Sequence, residues 1–218
     1  MNVNEPFVIT ISRELGSGGR TVGRKLAAEL NVRYSDKELV NQLEDQFKLT
    51  PEGIEQLKGK KKNWMADFIQ FVAPVPKARM LVDQYSEHIQ EFRPDVTPDD
   101  LYKAESEILR GIAAEGSCVI AGRSGFFVLE GHPNKLDIFI TASMEHRIER
   151  VMRKQQLSRE EAVAAIERVD EARDNYVKRY TGKSRYDARN YDLSINVDGL
   201  TEDQAVETIL SYLSQVSD

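Results

Sequence analysis

One cysteine and no apolar run long enough for a bilayer set the first limits on this chain. Cys118 has no partner for an internal disulfide, and the three histidines, His88, His132 and His146, are scattered without zinc-type spacing. No stretch approaches the roughly 18–20 apolar residues of a membrane-spanning helix. Met1–Glu5 lack the basic start and following apolar run of a signal peptide, so the expected location is the cytoplasm. Positive charge is not in excess either. A formal charge of −6 argues against a general nucleic-acid binder, because phosphate backbones reward a basic surface. A small phosphorylated ligand needs only a few local arginines and stays open. What is present is an ordinary globular balance, 218 residues of which 40% are hydrophobic and 30% charged. That suits one α/β domain, or a core domain with a smaller insert, able to bury its core without disulfides.

The apolar pattern changes period along the chain. Phe7–Ile11 is a short β-branched run that predicts a buried strand. It runs into Gly16-Ser17-Gly18-Gly19-Arg20-Thr21, after which Val22, Leu26, Ala27 and Leu30 mark one face of a helix. From about Lys37 to Ala114 the pattern is mostly helical but broken by five prolines, Pro51, Pro74, Pro76, Pro94 and Pro98, and predicts a helical insertion. Ser117–Ala121 and Leu136–Ile140 read as buried parallel strands. Ser143 is placed to cap the next helix, with Glu145 in its first turn. Ser158-x-x-Glu161 and Thr201-x-x-Gln204 are capping boxes that open two more helices, with the strand Leu193–Val197 between them. Strands alternating with helices imply right-handed crossovers and a parallel sheet, whose ligands sit beyond the carboxyl ends of the strands.

The loop at Gly16–Thr21 carries the chemistry. A glycine-rich turn between a buried strand and a helix lets several backbone N–H groups point at one anion placed on the helix N-terminus. Thr21 stands where a hydroxyl completes a magnesium shell in a P-loop. With Thr21 in that position, Gly19 falls where the usual lysine would be, Arg20 stands beside it, and Arg13 occupies the place of the first glycine. Arg20 is the candidate replacement cation, although guanidinium is planar and larger than an ammonium. The bland alternative is a tight strand-to-helix turn that binds nothing.

Ile11-Ser12-Arg13-Glu14-Leu15-Gly16-Ser17-Gly18-Gly19-Arg20 resembles the opening of the cytidylate kinase-like family. The resemblance continues through Tyr34–Glu38, Cys118–Arg123, Ile138–Ser143 with Arg147 and Arg150, and Tyr191–Leu193. It implies a three-layer α/β/α P-loop fold over residues 1–218, with a central five-stranded parallel sheet. It also implies a helical acceptor-binding insertion at 40–100 and a lid at 154–190. The implied reaction moves the γ-phosphoryl of ATP to a nucleoside monophosphate, CMP or dCMP leading, with Mg²⁺. Gly16, Ser17, Gly18, Gly19, Arg20 and Thr21 would then bind ATP, with Thr21 toward the metal. Arg20, Arg150 and Arg153 would serve catalysis, and Asp36, Arg123, Asp170 and Arg173 the acceptor. Two departures bear on the acceptor: Ser124 stands where the family's Gly-Arg-Asp segment has aspartate, and Lys37-Glu38 replaces a Ser/Thr-Gly pair.

Several of these residues have plainer readings. Arg147, Arg150 and Arg153 recur every three residues and would equally form a solvated helix face paired with Glu145 or Glu149. Asp170 and Arg173 would equally be an ordinary helix pair. Lys58–Lys62 is expected to be a solvated loop rather than a nucleic-acid or membrane site. Trp64, Phe68, Ile69 and Val72 share helical spacing and would pack on the core or on a second subunit, making a homodimer through the insertion. Cys118 is expected to be an inert core thiol. Besides the monophosphate kinase, two functions stay open: a nucleotide-binding regulator with little turnover, and a small-molecule kinase with a non-nucleotide acceptor.

Overall fold

The computed structural model describes residues 1–36, 98–122 and 124–217. Most of the 40–100 insertion, the Lys58–Lys62 run, the Trp64 face and Arg123 lie outside the described residues.

Five strands form one parallel sheet: β1 (Val8–Arg13), β2 (Arg33–Ser35), β3 (Cys118–Ala121), β4 (Lys135–Thr141) and β5 (Leu193–Asn196), in the order β2-β3-β1-β4-β5. The first strand in sequence is therefore the central one. Its register runs Val8 to Cys118 on one side and Val8 to Lys135 on the other, through Arg13 opposite Ile140. The alternation of side chains divides the core. Ile9 and Ile11 of β1, with Val119, Ile138 and Ile140, face α1 (Gly19–Glu29) and the C-terminal helix α6 (Glu202–Val216). Val8, Cys118 and Ile120 face the opposite way, against α2 (Pro98–Ala114) and the short α3 (Gly125–Val128). Helices on both faces of a parallel sheet make the three-layer α/β/α sandwich. Cys118 is buried in the second core, and burial pushes its thiol up to about 11, so the free thiol stays protonated.

Among the described residues the other two α-helices, α4 (Met144–Gln155) and α5 (Arg159–Thr181), pack on each other through Ile148, Val151, Ala162, Ile166 and Val169. Leu15, from the glycine loop, completes that cluster. Local signals set the helix ends. The Ser143 hydroxyl accepts from His146 N–H, the capping boxes at Ser158 and Thr201 are both closed, and Gly182 ends α5 in the left-handed conformation. The helix from Ser158, expected to run toward Tyr176, continues to Thr181. Tyr102 of α2 stacks on Tyr180 of α5 with ring centroids 4.1 Å apart, and the Tyr176 hydroxyl donates to the buried Glu105. The span 154–190 thus consists largely of a helix packed on the body of the domain.

Candidate active site

The glycine loop is held from below. Beyond β1, Glu14 N–H donates to the Ile140 carbonyl (3.1 Å), and Ser17 donates both its N–H (3.3 Å) and its hydroxyl (2.9 Å) to the Glu14 carbonyl. Gly16 and Gly18 take φ of 86° and 81°, which reverses the chain so that α1 starts at Gly19. At Gly16 a Cβ would lie 2.7 Å from the Arg147 carbonyl oxygen and 2.9 Å from its Cα, backbone atoms that cannot give way. Gly18 caps α1 and offers no side-chain acceptor. In the first turn of α1 the Thr21 and Val22 amides donate to the Gly18 carbonyl (2.8 and 3.1 Å), so an external anion has the Gly19 and Arg20 amides, at the end of the helix where its dipole is positive.

Arg147 and Asp170 anchor this loop. Leu15 N–H donates to Asp170 Oδ1 (3.0 Å), and Arg147 Nε donates to the Leu15 carbonyl (2.8 Å). Arg147 also pairs with Asp170 and, at 3.0 Å, with Glu14, whose other oxygen accepts from the Thr141 hydroxyl. Arg147 is 7% exposed and Asp170 6%. Each has its charge paired and its remaining polar atoms bonded, the condition under which buried ions are tolerated.

The arginine stripe divides by depth. Arg147 is buried in the anchor. One turn on, Arg150 lies over the loop, Nη2 3.5 Å from Thr21 Oγ1 and 2.8 Å from Glu202 Oε1, with its guanidinium carbon 3.3 Å from where a Gly18 Cβ would sit. The bond from Arg150 holds the Glu202 carboxyl below its ordinary range. Arg153, in the last turn of α4, is exposed, and no hydrogen bond or ion pair among the described residues ties it to the loop. On the other flank Arg20 pairs with Asp36 at the end of β2, and Arg13 Nη2 is 3.7 Å from the same carboxylate. Tyr34 donates to the Arg20 carbonyl at 3.2 Å, and burial, reinforced by Asp36, pushes its phenol up to about 12.

Of the residues assigned to the acceptor, Asp36 lies at the strand ends beside the loop, whereas Asp170 faces the loop backbone. Arg173 Nη1 donates to the Arg13 carbonyl (3.2 Å) and lies 3.5 Å from Asp170. Sequence reasoning missed two side chains. Arg185, 4% exposed, donates through Nη2 to the Arg13 carbonyl (2.5 Å) with Nη1 3.7 Å from Asp170. Nothing local marks it, since its partners lie far away in sequence. Arg13 stands out in the sequence only as a departure from glycine, though its place at the end of the central strand is a usable signal. Ser124 is a non-glycine residue at positive φ (54°), buried, and its hydroxyl has no hydrogen-bond partner among the described residues. No trio of His, Cys, Asp or Glu able to hold a metal occurs among the described residues.

A central β1 feeding a glycine loop and α1, within a parallel sheet ordered β2-β3-β1-β4-β5, defines a P-loop kinase fold. The chain belongs to the cytidylate kinase-like family, whose family model matches residues 8–199. Among solved structures it is similar to an uncharacterized protein from Eubacterium ventriosum ATCC 27560, with TM-score 0.67 and 22% identity over 95% of this chain and 98% of that one. It also resembles shikimate kinase from Bacteroides thetaiotaomicron (TM-score 0.52, 15% identity, 95% of this chain and 98% of that one). Shikimate kinase from Acinetobacter baumannii in complex with shikimate is comparable (TM-score 0.51, 13% identity, 97% and 94%). No curated protein sequence matches the chain. No described helix is long and apolar enough to cross a membrane.

Proposed function

We propose that the protein is an ATP-dependent phosphotransferase acting on a nucleoside monophosphate, with CMP or dCMP the leading acceptor. The observation that carries this reading is the Gly16–Thr21 loop, uncapped at the start of α1 and overlaid by Arg150. An acceptor oxygen bonds to the γ-phosphorus while the bond to the β,γ-bridging oxygen breaks. Its electron pair leaves on ADP, and a phosphate acceptor in its dianionic form has no proton to lose. Such a transfer requires positioning and charge neutralisation more than covalent chemistry.

The loop amides bind the phosphates, and Arg150, held by Glu202, spreads charge over them. Arg20 and Asp36 flank the acceptor side, Arg123, next after Gly122 in the sequence, is assigned to the acceptor with them, and Arg173 braces the end of β1. Arg153, exposed one turn beyond Arg150, would reach the nucleotide only on closure of the 154–190 segment. Mg²⁺, when bound with the nucleotide beside Thr21, neutralises phosphate oxygens. A cytoplasmic location and a homodimer through the insertion belong to the same reading.

A non-nucleotide acceptor is the second reading. Ser124, with its unpartnered buried hydroxyl where the family's aspartate is expected, favours it, and the fold likeness to shikimate kinases makes shikimate a reasonable probe. The test is ADP formation from ATP and Mg²⁺ with CMP, dCMP, UMP, AMP, GMP, shikimate or no acceptor. Turnover with CMP or dCMP alone is expected. Turnover with shikimate alone would transfer the conclusion to the second reading. Binding of ATP with no acceptor-dependent turnover would leave a nucleotide-binding regulator.

A further inference from the structure

Arg150 and Glu202 meet beside the glycine loop, and each stands on a backbone that packing has fixed. On α4, Arg150 lies between the buried Ile148 and Val151, one turn beyond the anchored Arg147. Its guanidinium lies across Gly18: Cζ, Nη2 and Nε are 3.3, 3.4 and 3.6 Å from where a Gly18 Cβ would sit. Gly18 caps α1, so the group rests beside the helix end at which an anion is favoured. Both of its polar contacts, to Thr21 Oγ1 (3.5 Å) and to Glu202 Oε1 (2.8 Å), run through Nη2. The edge formed by Nε and Nη1 is engaged by neither.

Glu202 is held as firmly as the loop. Thr201 and Gln204 close the capping box around it (2.9 and 3.2 Å), and Ala205, Val206 and Ile209 are buried with Val22, Leu26 and Ala27 of α1. Its neighbour Asp203 pairs with Lys25 of α1 at 2.6 Å. Two adjacent carboxylates thus tie the first turn of α6 to the helices beside the loop, Asp203 to α1 and Glu202 to α4. They differ in setting. The Asp203 side chain is 72% exposed, as in a surface pair that contributes little, whereas Glu202 is 33% exposed and Arg150 15%. A long arginine side chain loses rotamer freedom when a ligand orders it. Glu202 imposes that order before any nucleotide arrives. The plain alternative is an acid that only complements the helix dipole, a role that would not depend on Arg150.

We infer that Glu202 is the positioning residue of the phosphate site. It holds the Arg150 guanidinium across Gly18, so that the Nε and Nη1 edge meets the phosphates bound at the start of α1. Glu202 itself touches no ligand and acts only through Arg150. The inference rests on the nucleotide-binding half of the phosphotransferase reading and deepens it.

The experiment reads calorimetric affinity for a non-hydrolysable ATP analogue with Mg²⁺, and kcat/KM for ATP with the best acceptor. It compares wild type with Glu202→Ala, Glu202→Gln, Arg150→Met, Arg150→Met/Glu202→Ala and Asp203→Asn, each checked for folding by urea unfolding. Glu202→Ala is expected to weaken analogue binding and kcat/KM about three- to tenfold, the range for one long side chain ordered by the ligand instead of beforehand. Acceptor KM should not move. Glu202→Gln keeps an oxygen for Nη2 and should lose less. In the Arg150→Met background the Glu202→Ala change should cost less than about twofold, because its target is gone. Asp203→Asn should match wild type, which separates positioning from a general loosening of α6. Wild-type analogue affinity in Glu202→Ala or in Arg150→Met overturns the inference and leaves the phosphotransferase reading intact. So does an equal loss from Glu202→Ala in both backgrounds, or the same loss in Asp203→Asn, either of which makes the role structural. The expected binding pattern without ADP formation for any acceptor keeps the inference and removes the phosphotransferase reading. Failure of wild type to bind the analogue overturns both.

Discussion

Replacing Asp170 by alanine tests whether the loop is anchored as the geometry indicates. Asp170 accepts from Leu15 N–H at 3.0 Å and pairs with Arg147, and both charged side chains are under a tenth exposed. Removing one partner of a buried ion pair costs about 3–5 kcal/mol, because the other charge is left uncompensated. Here Arg147 keeps Glu14 at 3.0 Å and the Leu15 carbonyl at 2.8 Å, which places the charge term at the lower end. The Leu15 N–H left without an acceptor adds about 1 kcal/mol or more. Together these give a loss of about 3–4 kcal/mol, a large part of the roughly 5–15 kcal/mol that holds a domain folded. For a chain of this size that is a fall in Tm of about 6–16 °C. Urea unfolding of wild type, Asp170→Ala and Asp170→Asn measures it directly. Asparagine keeps an oxygen for Leu15 and should cost less. A loss below about 1 kcal/mol for Asp170→Ala would refute the anchoring argument. If acceptor KM rose instead, with stability unchanged, Asp170 would be an acceptor ligand, the role the family resemblance implies.

The other expectations concern glycines and titrating groups. Gly16→Ala meets both positive φ and the Arg147 backbone and should cost about 2–5 kcal/mol, whereas Gly18→Ala meets only the movable Arg150 tip and should cost about 1–2 kcal/mol; chemical denaturation of the pair separates them. Glu202 has its folded pKa lowered by the bond from Arg150, so its contribution is present above its ordinary 4.5 and is lost as pH falls through the lower folded value. The Tm gap between wild type and Glu202→Gln should therefore close on acidification, and a constant gap would contradict the pairing. Asp137 moves the other way: burial, only partly offset by Lys135 and Thr10, raises it, so its contribution is present below 3.8 and lost as pH rises through the raised folded value. Relative to Asp137→Asn, wild type should gain Tm as the pH is lowered through that range. Tyr34→Phe removes the bond to the Arg20 carbonyl and should cost about 0.5–1.5 kcal/mol in the same assay.

The elements and the class of fold were legible in the residues because they depend on short-range physics. β-Branched runs at Phe7–Ile11 and Leu136–Ile140 predict buried strands, and the strands form there, over Val8–Arg13 and Lys135–Thr141. Ser143, Ser158 and Thr201 accept from amides three residues on, so a capped helix start is written within four positions. The glycine loop was visible for the same reason, as was its place at the end of the first strand. Tertiary structure decided which charges work on that loop. Arg147 and Arg150 look alike on a helical wheel, yet one is buried against Asp170 and the other lies over Thr21, because only Arg147 points into the junction that Leu15 fills. Arg185 reaches the Arg13 carbonyl across 172 residues, a contact with no local signature. Arg13 and Gly19 stand six positions apart in the sequence, yet a Cβ on Gly19 would lie 2.7 Å from Arg13 Cβ. That closeness requires the strand end and the helix start to meet, and that is a distance between backbones, set by the packing of the whole sheet.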